Sequence, residues 1–279
     1  MAASCTRDFY DSLAADYHRI FPDWDASIAR QAAALDGLVR RELGPGPHRL
    51  LDCACGIGTQ AIGLARAGHR VVGSDLSPVA ATRAAAEAAD RGVVLPTAAA
   101  DMRRLPFGPG TFDAVVCADN SLAHLLSAQD VAAALRGMRR VLRDGGLLLL
   151  TLRDYDEIRR TRPAASPPQV SHGSDGRSVT FQLWHWHDDG ERYDQEYFQL
   201  VPDGEGWEVR VRRATSWALL RREVTDAASA AGFTDPTWHM PDTSGFYQPV
   251  FTGRAHWPRP TPARGTGGTS DSSLITQCE

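Results

Sequence analysis

The chain has 279 residues, of which 43% are hydrophobic and 23% charged, and its formal net charge is −4. That length is ample for one large α/β domain, with or without a modest insertion. The charge balance offers no basic footprint for nucleic acid or an anionic membrane. The longest apolar run, 145–152, is far shorter than the about 20 residues a bilayer span needs. Around Cys5, Arg7 and Asp8 there is no continuous hydrophobic stretch of the kind a secretory signal requires. The expectation is a soluble cytoplasmic protein without nucleic acid or membrane as a partner.

Residues 8–43 carry helical spacing, with apolar positions at Ile28, Ala32, Leu35 and Leu38, and Gly44-Pro45-Gly46-Pro47 stops them. Short apolar runs then alternate with Ala-rich helical stretches. Strands are expected at 49–53, 70–74, 94–99, 112–118 and 146–152, and helices at 60–67, 78–91 and 128–141. This rhythm predicts βαβ units around a parallel sheet with right-handed crossovers. After a Pro/Ala/Ser connection at 163–168, the segments 178–187, 192–201 and 207–215 alternate in strand fashion. Asp188-Asp189-Gly190 and Asp203-Gly204-Glu205-Gly206 separate them as hairpin turns. An antiparallel β-insertion at about 170–215 is therefore expected inside a domain spanning 44–257. A helix over 217–231 stopped by Gly232, strands at 234–239 and 248–254, and a Pro/Gly/Ser/Thr-rich disordered tail at 258–279 complete the reading.

Five cysteines lie at 5, 53, 55, 117 and 278. Cys53-Ala54-Cys55 lacks the second Cys or His pair of a tetrahedral zinc site, so no metal is expected. Cys53 and Cys117 fall inside apolar strand patterns and read as small buried hydrophobes in a reducing compartment.

The segment from Leu50 to Gln60, LLDCACGIGTQ, follows the first strand and opens the first crossover helix. Gly56 and Gly58 permit a tight turn and the close approach of a ligand to backbone. Gly56-x-Gly58-x-x-Ala61 also satisfies the loose dinucleotide fingerprint, so the glycines alone leave NAD in contention. Asp52, four residues before Gly56, would repel a pyrophosphate but suits S-adenosylmethionine, whose sulfonium and α-ammonium are cationic. Asp75 ends the second strand, where an acid accepts hydrogen bonds from both ribose hydroxyls. The competing role, capping the helix that starts at Pro78, falls more naturally to Ser77. Leu76 beside Asp75 joins the cofactor set. Asp101, after the third strand, is placed to accept from the adenine amino group while Met102 packs on the ring; a plain turn acid is the alternative. Acids at successive strand ends around one Gly loop favour adenosylmethionine over NAD.

This constellation over 48–152 resembles the class I S-adenosylmethionine-dependent methyltransferases, which implies a Rossmann-like, seven-stranded α/β fold. Asn120-Ser121-Leu122-Ala123-His124-Leu125, the segment 149–156 (LLTLRDYD), and the stretch from Tyr10 through Trp24-Asp25 to Arg30-Gln31 narrow the resemblance to glycine N-methyltransferase and the bacterial glycine/sarcosine methyltransferases. The resemblance implies that Asn120 and Arg153 hold the substrate, Arg153 pairing with its carboxylate. It implies that Arg30 holds the methionyl carboxylate of the cofactor, and that Ala54, Asp75, Asp101 and Met102 line the cofactor. Tyr10, Trp24 and Arg30 are expected in a lid, 1–43, that closes over it.

Arg153 stands just past the fifth strand, at the sheet edge where α/β proteins bind ligands, and its planar fork suits a carboxylate. A surface ion pair with Asp154 or Asp156 is the alternative. His124 is a candidate to orient a substrate or cofactor group, and a structural His is its alternative. Trp184, Tyr193 and Tyr247 are assigned to the acceptor side, though alternating aromatics in strands also serve packing. Methyl transfer needs chiefly alignment of a nucleophile with an electrophilic methyl group. The leading expectation is an amine N-methyltransferase acting on a small carboxylate-bearing molecule. An O- or C-methyltransferase tailoring a secondary metabolite comes second, then an NAD(P) oxidoreductase and a binding protein without turnover. A homo-oligomer is compatible with all of these.

Overall fold

The fold is seen in a computed structural model in which residues 6–173 and 176–257 are described; the tail expected at 258–279, with Cys5 and Cys278, lies outside them. The first five strands are β1 (Arg49–Asp52), β2 (Arg70–Asp75), β3 (Thr97–Ala99), β4 (Phe112–Cys117) and β5 (Leu142–Thr151). They pair in parallel. An insertion then supplies β6 (Gln169–Gly173), β7 (Gly176–Trp186), β8 (Arg192–Asp203) and β9 (Gly206–Trp217). The chain returns through β10 (Phe233–His239) and β11 (Val250–Ala255), of which β11 runs antiparallel to both its neighbours. The main sheet has seven strands in the order β10-β11-β5-β4-β1-β2-β3, and the insertion forms a separate four-stranded antiparallel sheet.

The helices are α1 (Thr6–Leu13), α2 (Trp24–Leu43), α3 (Thr59–Arg66), α4 (Pro78–Asp90), α5 (Ala128–Val141), α6 (Tyr155–Thr161), α7 (Arg221–Ala230) and α8 (Pro241–Ser244). A parallel sheet is covered on both faces, so its strands are apolar at every position rather than at alternate ones. Leu51, Val115, Leu148 and Leu150 face α5 and α7, where Leu135, Met138 and Val224 meet them. Leu50, Ala114, Val116, Leu147 and Leu149 face the other layer, with Ile28 and Leu35 of α2 and Ile62 of α3.

The strand order reverses at β1, whose neighbours are β2 on one side and β4 on the other. Loops leaving the carboxyl ends of β1 and β4 therefore diverge in opposite directions and leave a crevice between them, the place where open α/β sheets bind ligands. The insertion overhangs this edge. Along β8, Tyr193, Gln195, Tyr197, Gln199 and Val201 are buried, as period-two alternation dictates for a sheet covered on one face. Phe9 and Leu13 of α1 pack against Tyr197 and Ala214, so the N-terminal helix contacts the insertion.

Some boundaries differ from expectation for local reasons. The helical segment 8–43 is broken into α1, a 3-10 turn at Tyr17–Ile20, and α2. Pro22 disfavours helical backbone at Phe21, and Asp23 restarts the helix by accepting from the Ala26 amide at 2.9 Å. The helix expected from Trp217 starts at Arg221 instead, because Trp217 still pairs with Arg192 across β8 and β9. The third strand shortens to Thr97–Ala99, since Pro96 has no amide to offer a ladder. Strand β6 and helix α6 were not anticipated. Asp154 accepts from the Glu157 amide at 3.4 Å, an acidic N-cap with Glu three residues on that is visible in the sequence.

Candidate active site

The loop after β1 turns through Gly56 (φ 52°) and Gly58 (φ 96°), left-handed backbone that glycine adopts without strain. A Cβ on Gly56 would meet Tyr17 Cε1 at 3.2 Å, and one on Gly58 would meet Ile62 Cδ1 at 2.9 Å. Asp75, at the end of β2, accepts from the Gly56 amide and from the Ser77 amide, each at 2.8 Å. Ser77 caps α4 by accepting from Ala80 at 3.0 Å, so the cap role does not fall to Asp75. Burial raises the Asp75 pKa above the usual carboxylate value despite these two donors. Its position ties the Gly loop to β2 and leaves the carboxylate edge bordering a cavity of about 300 Å³.

That cavity is lined by Tyr10, Ala54, Gly56, Asp75, Leu76, Asp101, Met102 and His124 of the expected residues. Asp101 reaches it with its carboxylate already held by Arg103, at 2.6–3.0 Å, and also caps the turn at Met102–Arg104. Burial would raise its pKa, but Arg103 prevails and lowers it. His124 Nε2 lies 2.8 Å from the Tyr10 hydroxyl and Nδ1 lies 3.3 Å from the Thr215 carbonyl. Burial pushes the His124 pKa down to about 4. The ring is therefore neutral near pH 7, with Nδ1–H donating to the carbonyl and Nε2 accepting from Tyr10.

Asp52 does not line this cavity. It is fully buried beneath the loop, with Oδ1 3.4 Å from the Ala54 amide and Oδ2 without a partner among the described residues. Burial, with the charges of Asp75 and Asp119 added, pushes its pKa up to about 7. Gly58 likewise serves the start of α3 rather than the cavity wall. Trp24 stands outside, its Nε1 donating to Thr59 at 2.9 Å and its ring covered by the Arg91 guanidinium at 4.7 Å. Its reach to the loop is through α3.

A second cavity of about 370 Å³ adjoins the first and is lined by Arg30, Arg153 and Tyr247, among others. Arg30 thus faces this cavity and not the Gly loop. Arg153 donates to the Tyr193 hydroxyl at 3.0 Å and to Gln182 Oε1 at 3.1 Å, and its guanidinium lies 5.0 Å from the Trp184 ring centroid. Tyr193 and Trp184 are buried and stacked on each other at 4.9 Å. They support Arg153 from behind and do not line either cavity. Asp154 and Asp156, the alternative partners, are engaged by Arg221 at 2.8 and 3.3 Å. Among the described residues no carboxylate forms an ion pair with Arg153. Asn120, buried, accepts from the Arg153 amide at 3.2 Å and so joins the loops after β4 and β5.

Asp119 is the residue that sequence reasoning missed. It follows β4 as Asp52, Asp75 and Asp101 follow or end the preceding strands, and that repetition was a readable signal. It takes a left-handed backbone, φ 55°, and is the lining residue common to both cavities. Tyr247 donates to its Oδ1, and the Tyr17 hydroxyl lies 3.4 Å from Oδ2.

The donor set suits one cofactor chemistry. Three buried or half-buried acids (Asp52, Asp75, Asp119) converge beneath and beside the Gly loop, one with an unpartnered oxygen, which opposes a pyrophosphate and favours a cationic ligand. Residues 50–146 match the family described as methyltransferase domain. Over residues 50–146, about a third of the chain, this protein is thus similar to methyltransferase domains. It is 37% identical over 153 residues to a glycine/sarcosine N-methyltransferase from Parasynechococcus marenigrum (strain WH8102), covering 53% of this chain and 54% of that relative. It is 33% identical over 166 residues to the glycine N-methyltransferase of Rattus norvegicus, covering 55% of each. The chain thus spans about half the length of the curated relatives it matches. A solved S-adenosylmethionine-dependent methyltransferase from Clostridium acetobutylicum ATCC 824 shares the fold at TM-score 0.69 and 14% identity, over 89% of this chain and 99% of that one. Among the described residues no helix is long and apolar enough to cross a membrane.

Proposed function

We propose that this protein N-methylates a small amine that also carries a carboxylate. The observation that carries the reading is Arg153: a guanidinium bordering the second cavity, held by neutral partners and by an aromatic face, with no acid of the described residues in ion-pair contact. A guanidinium held in this way retains N–H groups for a ligand, and a carboxylate matches their fork. The relatives named for glycine or sarcosine methylation support the amine. S-adenosylmethionine, when bound, supplies an electrophilic methyl group on a sulfonium.

In this reading Asp75 holds the ribose hydroxyls, Asp101 the adenine amino group, and Leu76 and Met102 the faces of the ring. Ala54 and Gly56 offer close backbone, while Asp52, beneath the loop, becomes fully charged only as a cationic ligand draws off its proton. Arg30 faces the same cavity as Arg153 and is assigned to the cofactor's methionyl carboxylate. Asn120 positions Arg153, Tyr10 and His124 bound the cofactor cavity, Tyr247 lines the acceptor cavity, and Trp184 and Tyr193 act on it only by holding Arg153 from behind. The chain's main contribution is alignment, with water excluded by the overhanging insertion.

The test is release of S-adenosylhomocysteine from glycine, sarcosine and β-alanine compared with their methyl esters. Turnover of the acids is expected to exceed that of the esters at least about tenfold, the weight of one charge-assisted contact. Equal turnover of acids and esters would remove the carboxylate from the proposal. Preference for hydroxyl compounds would favour an O-methyltransferase.

The N-terminal segment belongs to this proposal as a lid. Arg212 donates to the Ser12 carbonyl and, with Arg210, to the Asp16 carboxylate at 2.7–3.0 Å, so the segment is latched to the insertion as well as to the Gly loop. Hydrogen exchange over residues 8–30 is expected to slow when S-adenosylhomocysteine is added. Protection confined to the Gly loop would show that the segment does not close.

A further inference from the structure

Asp119 lies where the two cavities meet, and a methyl group passing from a cofactor in one to an acceptor in the other crosses that junction. We propose that Asp119 anchors the acceptor's ammonium group and takes its proton, so that the acceptor is read at two points, its nitrogen at Asp119 and its carboxylate at Arg153. The inference rests on the amine reading above and assigns a residue to the nitrogen.

The geometry is specific. The main chain presents Asp119 in a left-handed conformation fixed by its own amide, which donates to Thr151 Oγ1 at 2.7 Å, and Thr151 is in turn held to Gln248 at 2.8 Å. A non-glycine residue in this region is uncommon, and Asp and Asn tolerate it best. The titratable groups that interact electrostatically with the carboxylate come from every surrounding element. They are Tyr10 and Tyr17 from the N-terminal segment, Asp52 after β1, Arg153 after β5, Tyr197 from the insertion and Tyr247 before β11. Four of these are tyrosines, and Arg153 is the cation in the set. Tyr247 and Tyr17 donate to the carboxylate oxygens without neutralising them. Burial raises the Asp119 pKa, against the lowering effects of the Tyr247 hydrogen bond, Arg153 and Tyr17. A half-buried carboxylate without an ion-pair partner carries part of the cost of a desolvated charge, and a ligand ammonium would relieve it.

The step balances as follows. The acceptor's ammonium loses one N–H proton to the Asp119 carboxylate and becomes a neutral amine with a lone pair. Its nitrogen forms the new N–C bond as the S–C bond of S-adenosylmethionine breaks, giving a methylated ammonium and neutral S-adenosylhomocysteine. Asp119 then releases its proton to water.

Asp119→Asn keeps the side-chain shape and the backbone preference while removing charge and basicity. Glycine, sarcosine and the methyl glycoside of a 3-amino-3-deoxyglucose serve as amine probes, with glycolate and methyl glucoside as their hydroxyl counterparts. Turnover of at least one amine and of no hydroxyl counterpart is expected from the parent protein. The variant should lose at least a hundredfold in kcat/KM for that amine and keep its S-adenosylhomocysteine affinity within threefold by calorimetry. The acid limb of the pH profile should vanish in Asp119→Asn and move to higher pH in Tyr247→Phe, which removes a donor that favours the ionised form. Unchanged kcat/KM in Asp119→Asn, a loss carried wholly by cofactor affinity, or methylation of hydroxyl compounds alone would overturn the assignment. So would the absence of turnover with every amine. Turnover of the aminosugar but of neither amino acid, with Asp119→Asn inactive, would sustain Asp119 while refuting the carboxylate-bearing acceptor.

Discussion

Asp75→Ala is expected to weaken S-adenosylhomocysteine binding by about 2–4 kcal/mol, roughly 30- to 900-fold in Kd. Hydrogen bonds to a charged group contribute about 1.5–3 kcal/mol each and are not additive, which sets the range. The carboxylate acts twice in this site. It faces the cavity where the ribose is proposed to lie, and it holds the Gly56 and Ser77 amides at 2.8 Å. Asp75→Asn should lose less than Asp75→Ala, because an amide oxygen still accepts one of those bonds. Calorimetric titration decides the matter: an Asp75→Ala protein that binds with parental affinity would take Asp75 out of the cofactor site. Because the same substitution releases two buried amides, thermal stability should fall in the absence of ligand as well.

For Arg153→Ala, the expected result is a rise in the acceptor's KM of at least about tenfold, a loss near 1.4 kcal/mol or more, with cofactor binding nearly intact. The substitution leaves the Tyr193 hydroxyl and Gln182 without their cationic donor. Arg153→Lys keeps a charge but cannot reach both of those partners and still present a planar fork, so it should remain impaired. The Ala variant should also distinguish less between an amino acid and its methyl ester. If Arg153→Ala instead retains parental kcat/KM on the true acceptor, the carboxylate reading collapses and an O- or C-methyltransferase becomes the better account.

Much of the site was legible because it is local. A Gly loop between a strand and a helix, and acids that end or follow strands, are contiguous features, and parallel strands bring their carboxyl ends to one edge whatever the rest of the chain does. Asp75, Leu76, Asp101 and Met102 therefore line one cavity. The repeated strand-end acid extended one strand further than it was followed, to Asp119. The insertion was readable as alternating strands, but its inward face was not. Period two says that Tyr193, Gln195 and Tyr197 share a side and does not say against what.

What the sequence determined by itself was the α/β alternation, the Gly loop and the acidic rim, since each depends on residues close along the chain or on one repeating period. Tertiary structure decided which charges are engaged. Arg221, 67 residues beyond Asp154, takes that carboxylate and leaves Arg153 to the neutral donors and acceptors of the insertion. Arg30 and Trp24, on one helix, are separated between the second cavity and an outer groove by the helix's orientation. Asp119 acquired its place only because β4 ends beside the switch in strand order and Tyr247 folds back upon it. The physical reason is common to all of these: a charge's role is set by the partners and dielectric that surround it, and those arrive from elements distant in sequence.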